Sequence, residues 1–222
     1  MLQAIIFDMD GVIVDTEYVE FTLQKDFITQ IQEHNNPISH TEYSEVVGKS
    51  LKDIPEIIKK LSGSSLPLDE IRTRYYDFFK QIFSNIDYRT IFRSEITPII
   101  QFAKQNNIKL AVASSSALDH IHNILTCCGI KDDFDLIVSG EIFENSKPDP
   151  TIYHYTLEKL GVAPENTVSI EDSYYGMVSA KGANLKVIGY EETRMQIDQS
   201  LADYMGKDMV EILGVIKKLH SK

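Results

Sequence analysis

The sequence predicts an α/β fold: a parallel sheet core interrupted by an inserted helical domain. Two observations carry this. Five apolar runs of strand length recur along the chain, and from the second onward they alternate with helix-length segments. That alternation builds βαβ units and a parallel sheet. Between the first and second runs lie about eighty residues without a convincing strand, whose apolar residues recur at three- and four-residue intervals, the period of a helix.

The first run, AIIFD at 4–8, is followed by Met9, Asp10 and Gly11. An Asp-Gly pair ends a strand readily, because Gly accepts φ > 0 and Asp bonds to nearby backbone. This accounts for Asp10 but not for Asp8. Residues two apart in extended chain point the same way, so Asp8 and Asp10 present two carboxylates on one side. Like charges held together need an offset, either a hard cation or a shared proton.

Residues 17–88 are assigned to the helical insert, through the segments EYVEFTLQKDFITQIQEH, KDIPEIIKKLSG and LDEIRTRYYDFFKQIFSNI. The spacing of Tyr75, Tyr76, Phe78, Phe79 and Phe83 is that of a helix core rather than of a stacking platform. An insert placed straight after the carboxylate pair suits a lid that excludes water, the alternative being a domain unrelated to the chemistry. Residues 1–16 and 89–222 form the core, with strands at 109–114, 134–139, 167–172 and 185–190.

Ligands of open α/β sheets gather at the carboxyl ends of strands. The polar groups of this chain gather there too: Asp8 and Asp10 after the first run, Ser114, Ser115 and Ser116 after the second, and Glu171 and Asp172 after the fourth, with Lys147 in the loop NSKPDP. Asp8 with the acidic pair, a backbone carbonyl and substrate oxygens would make the oxygen shell that Mg²⁺ prefers. A carboxylate such as Asp8 can attack phosphorus, and Asp10 can move a proton to and from the leaving and incoming oxygens. Ser114 stands before a helix starting near Ala117, as one side of a phosphate cradle or as a plain N-cap. Lys147 supplies a compact charge for phosphoryl oxygens.

Composition narrows the partners. The 222 residues suffice for a large domain or a core with a smaller insert; 43% are apolar and 25% charged. Net charge is 22 − 33 = −11, which argues against nucleic acid or an anionic membrane as partner. Adjacent Cys127 and Cys128 read as core filler, and the six histidines show no metal spacing. No signal peptide and no apolar run of the ~18 residues a membrane span needs is evident, so the expected location is the cytoplasm.

The ordered set DxDG, strand-ending Ser, Lys-Pro and strand-ending Glu-Asp resembles the haloacid dehalogenase-like hydrolase superfamily over almost the whole chain. FDMDGVIVDTE, SKPDPTIY and SIEDSYYGMVSAKGAN look especially like its branch of β-phosphoglucomutases and small sugar-phosphate phosphatases with a helical cap. The resemblance implies a Rossmann-like core and a monomer. It also implies Asp8 as nucleophile, Asp10 as general acid/base, and Ser114 and Lys147 holding the phosphoryl group. Asp8, the Asp10 carbonyl and Asp172 would bind Mg²⁺, with Glu171 supporting or contacting the ion. Ser115 and Ser116 belong with the substrate site, as do Gly48, Lys49 and Ser50 of the cap loop VGKSLKD. Similar mutases carry an Arg after that serine and Lys-Asn after the phosphate-site serines, where this chain has Leu51 and Ala117-Leu118. Hydrolysis of a small phosphomonoester is therefore expected ahead of mutase activity, and an inactive binding module comes last.

Overall fold

The computed structural model describes residues 1–47 and 53–221. Strand β1 (Ala4–Phe7) leads into helices α1 (Thr16–Ile31), α2 (His40–Tyr43), α3 (Ile54–Ser62) and α4 (Leu68–Phe83). The alternating part follows: α5 (Thr97–Gln105), β2 (Lys109–Ser114), α6 (Leu118–Cys127), β3 (Leu136–Ser139), α7 (Thr151–Leu160), β4 (Thr167–Glu171), α8 (Tyr174–Gly182), β5 (Lys186–Tyr190), β6 (Tyr204–Gly206) and α9 (Met209–His220).

All neighbouring strands pair in parallel, in the order β3-β2-β1-β4-β5-β6. β1 is central and buried on both faces, which is why it reads as an unbroken apolar run rather than an alternating one. Ile6, Ala111, Ala113 and Val187 of the sheet pack with Tyr153 and Leu157 of α7 and Met177 and Ala180 of α8 in one core cluster. The sequence pattern predicts no strand at β6: three residues, Tyr-Met-Gly, at the sheet edge are too short to show a period.

Contacts divide the chain into two units. One contains the sheet and comprises Met1–Asp15, Tyr88–Glu192 and the chain from Asp198 on; the other comprises Thr16–Asp87 and Thr193–Ile197. The sequence assigns 193–197 to the core, but Met195 is buried among Phe21, Phe27, Ile54 and Tyr75 of the helical unit, and Ile197 packs against the same cluster. Gln196 also donates to Thr41 Oγ1 at 3.1 Å. Tyr75 is fully buried, with Phe78 and Phe79 partly so, whereas Tyr76 is exposed. Consecutive helical positions lie about 100° apart, so with Tyr75 at the centre of the buried stripe Tyr76 falls at its edge.

Among the described residues no helix is long and apolar enough to cross a membrane. Ile6→Ala removes a fully buried side chain at the middle of the central strand. It is expected to lower unfolding stability by about 3 kcal/mol in urea titration.

Candidate active site

The parallel register builds the site. Phe7 stands beside Ile170 on β4 and beside Val112 on β2. One residue on, Asp8 and Glu171 leave adjacent strands side by side, and the Asp8 N–H still donates to the Ile170 carbonyl at 3.0 Å. The chain then turns. Gly11 takes φ +75° and donates its N–H to Val14 O at 2.8 Å, a conformation that a side chain would strain.

Lys147, between β3 and α7, points its ammonium into this edge. Its Nζ lies 3.0 Å from Asp8 Oδ1 and 2.7 Å from Glu171 Oε1, with all three side chains buried or nearly so. Glu171 Oε1 also accepts a hydrogen bond from the Tyr153 hydroxyl. Its other oxygen, Oε2, is buried without a hydrogen-bond partner and packs against Gly176 in the first turn of α8. A Cβ at 176 would sit 1.9 Å from Oε2, so only glycine admits the Glu171 carboxylate here.

Burial pushes the Asp8 carboxyl up from 3.8 to about 7; Lys147 opposes the rise, while Glu171 and Asp10 add to it. Burial works against the Lys147 ammonium, but the Asp8 and Glu171 carboxylates outweigh it and hold its pKa above the ordinary value. Burial and then the Glu171 charge raise the Tyr153 hydroxyl well above the usual phenol range, so it serves as a donor.

Asp10 meets different partners. Ser116 Oγ donates to its Oδ2 at 2.8 Å, and Ser114 Oγ lies at 3.4 Å from the same atom. The Ser116 N–H donates to Ser114 Oγ at 3.1 Å, while the N-cap of α6 is Ala117 and the first N–H of that helix, from Leu118, donates to Glu141 Oε2 at 3.1 Å. Ser114 is therefore not a plain helix cap. Ser115 is exposed and accepts from Ser146 Oγ at 2.9 Å, which leaves it in the loop layer. Gly48, Lys49, Ser50, Leu51 and Lys52 lie outside the described residues.

Carboxylate oxygens of Asp8, Glu171 and Asp172 lie within 4.8 Å of one another. Three buried carboxylates that converge in this way offer the oxygen ligands an oxygen-seeking divalent cation takes, so the donor set fits Mg²⁺. Tyr153 is the contact that the sequence does not announce. A tyrosine on the inward face of α7 reads as core, and only the fold brings its hydroxyl to a glutamate eighteen positions away.

The family described as haloacid dehalogenase-like hydrolase matches residues 5–190. The "Phosphorylated carbohydrates phosphatase" of Thermotoga maritima is 28% identical over 98% of this chain and 100% of its own length. The "Beta-phosphoglucomutase" of Bacillus subtilis is 29% identical over 94% of this chain and 92% of its own. Among solved structures, CbbY from Rhodobacter sphaeroides in complex with xylulose-(1,5)bisphosphate superposes with a TM-score of 0.68 at 26% identity, over 95% of this chain and 96% of that one.

The raised Asp8 carboxyl has a signed consequence for stability. A carboxyl whose folded value exceeds its unfolded one favours folding at low pH, and that contribution is lost as pH rises from 3.8 through about 7. In chelator, the melting temperature of the wild type should fall relative to Asp8→Asn between about pH 4 and about pH 7. Added Mg²⁺ should restore the wild type at the upper end.

Proposed function

Because the chain belongs to the haloacid dehalogenase-like hydrolase family, we propose that it is a Mg²⁺-dependent phosphatase of small phosphomonoesters, sugar phosphates first among them. The observation that carries this is the buried Asp8 carboxylate, 3.0 Å from Lys147 and within one acidic cluster with Glu171 and Asp172. Such a carboxylate is placed to act as a nucleophile beside a cation able to neutralise phosphoryl oxygens.

In the proposed reaction Asp8 attacks phosphorus, forming an aspartyl phosphate as the bond to the leaving oxygen breaks. Asp10, oriented by the Ser116 hydroxyl, gives a proton to that oxygen. Asp10 then takes a proton from water, which attacks the same phosphorus and frees Asp8 and inorganic phosphate. Lys147 and the Ser114 region hold the phosphoryl oxygens through both steps. Asp8 and Asp172 would hold Mg²⁺ together with the Asp10 carbonyl, and Glu171 adds its charge and its grip on Lys147. When bound, the ion supplies charge stabilisation for the phosphoryl oxygens.

Phosphatase activity is preferred over mutase activity because Ala117 and Leu118 offer no charge to a second phosphate. The matched phosphatase of Thermotoga maritima covers 98% of this chain. The mutase reading is kept by the relative from Bacillus subtilis, named for that activity.

The test supplies β-glucose 1-phosphate with Mg²⁺ and catalytic glucose 1,6-bisphosphate, and follows free phosphate and glucose 6-phosphate together. Release of phosphate that stops with chelator and falls at least about a thousandfold in Asp8→Asn supports the proposal. Glucose 6-phosphate without phosphate loss would make the protein a mutase. Turnover retained in Asp8→Asn would remove Asp8 from the chemistry.

A further inference from the structure

We propose that the Tyr153 hydroxyl is a positioning group for Lys147, acting through Glu171, an inference that rests on the phosphoryl-transfer reading above. Tyr153 is the third residue of α7, six positions after Lys147, and is fully buried in the core cluster between helices and sheet. A phenylalanine would fill nearly the same space. The hydroxyl is what the core does not require, and a buried hydroxyl is tolerated only with a partner.

That partner is Glu171 Oε1, the atom that also accepts the Lys147 ammonium at 2.7 Å. The ring adds a second contact, since Lys147 Nζ lies 5.2 Å from the Tyr153 centroid, within reach of the aromatic face. One side chain therefore touches both members of the ion pair. Gly176 completes the arrangement, for Glu171 Oε2 rests against its Cα hydrogens and the carboxylate has no room there for a larger neighbour.

The consequence is a chain of contacts across four segments: Tyr153 on α7 donates to Glu171 ending β4, and Lys147 in the loop donates both to Glu171 and to Asp8 after β1. An ammonium between two carboxylates divides its hydrogen bonds according to how strongly each accepts. By donating to Oε1, Tyr153 weakens the hold of Glu171 on Lys147 and leaves the ammonium 3.0 Å from Asp8 Oδ1. Without the hydroxyl, Lys147 settles onto Glu171 and moves away from Asp8 and the phosphoryl oxygens. Binding of substrate changes little, whereas the transferring group loses an aligned charge.

Tyr153→Phe keeps the ring and removes the hydroxyl. It is expected to lower kcat about tenfold with KM and the Mg²⁺ half-saturation unchanged. Its crystal structure, compared with that of the wild type, should show Lys147 Nζ beyond hydrogen-bond distance of Asp8. An unchanged kcat, or an unchanged separation of Lys147 from Asp8, overturns the inference. So does a fall in melting temperature with full turnover per folded molecule, which would mark a structural role only. If the wild type itself releases no phosphate, the functional reading fails, and the crystal comparison still decides whether Tyr153 places Lys147.

Discussion

Burying like charges side by side is among the least favourable arrangements a protein interior can hold, and it persists only where a counter-charge is fixed between them. Here the counter-charge is Lys147, set between Asp8 and Glu171. The pair of carboxylates is adjacent because β1 and β4 are hydrogen-bonded neighbours in register, although more than 150 residues separate them in sequence. The lysine arrives by a third route, the loop between β3 and α7. The sheet order, the burial of β1 and the glycine at the start of α8 all serve this one contact. Any shift of register by a residue would turn one of the carboxylates into the apolar core.

Two aspartates two residues apart have acquired separate surroundings. Asp8 is enclosed with Lys147, Glu171 and Asp172, while Asp10 takes hydroxyl donors from the serines that follow β2. Different surroundings are how one type of side chain is given two tasks. In the proposed reaction the enclosed carboxylate attacks phosphorus and the serine-held one carries protons.

Much of this was legible from residue patterns. A parallel strand buried on both faces shows as a short apolar block, so β1, β2, β4 and β5 stand out within a residue or so of their limits. Acids, hydroxyls and a lysine at the ends of such blocks point to one sheet edge, and the structure brings Asp8, Lys147, Glu171 and Asp172 together there. The rest depended on contacts that leave no local period. β6 is three residues long. Met195 and Ile197 sit in a polar stretch whose neighbours in sequence belong to the sheet unit, so nothing nearby signals a helical partner. Tyr153 has the spacing of an ordinary core position, and its hydroxyl is informative only once α7 is laid against β4.

Thr193–Ile197 bears on how divisible this protein is. The chain passes between its two compact units at four places, after Asp15, Asp87, Glu192 and Ile197. The helical unit is thus assembled from two separate stretches and is not a cassette that can be cut out at one pair of joints. Removing Thr16–Asp87 alone would leave Met195 and Ile197 without the aromatic cluster that covers them. Grafting the same stretch onto another sheet would leave that cluster without its plug. Exchange of the helical unit between relatives, by recombination or by design, must therefore carry both stretches or redesign the seat of Met195.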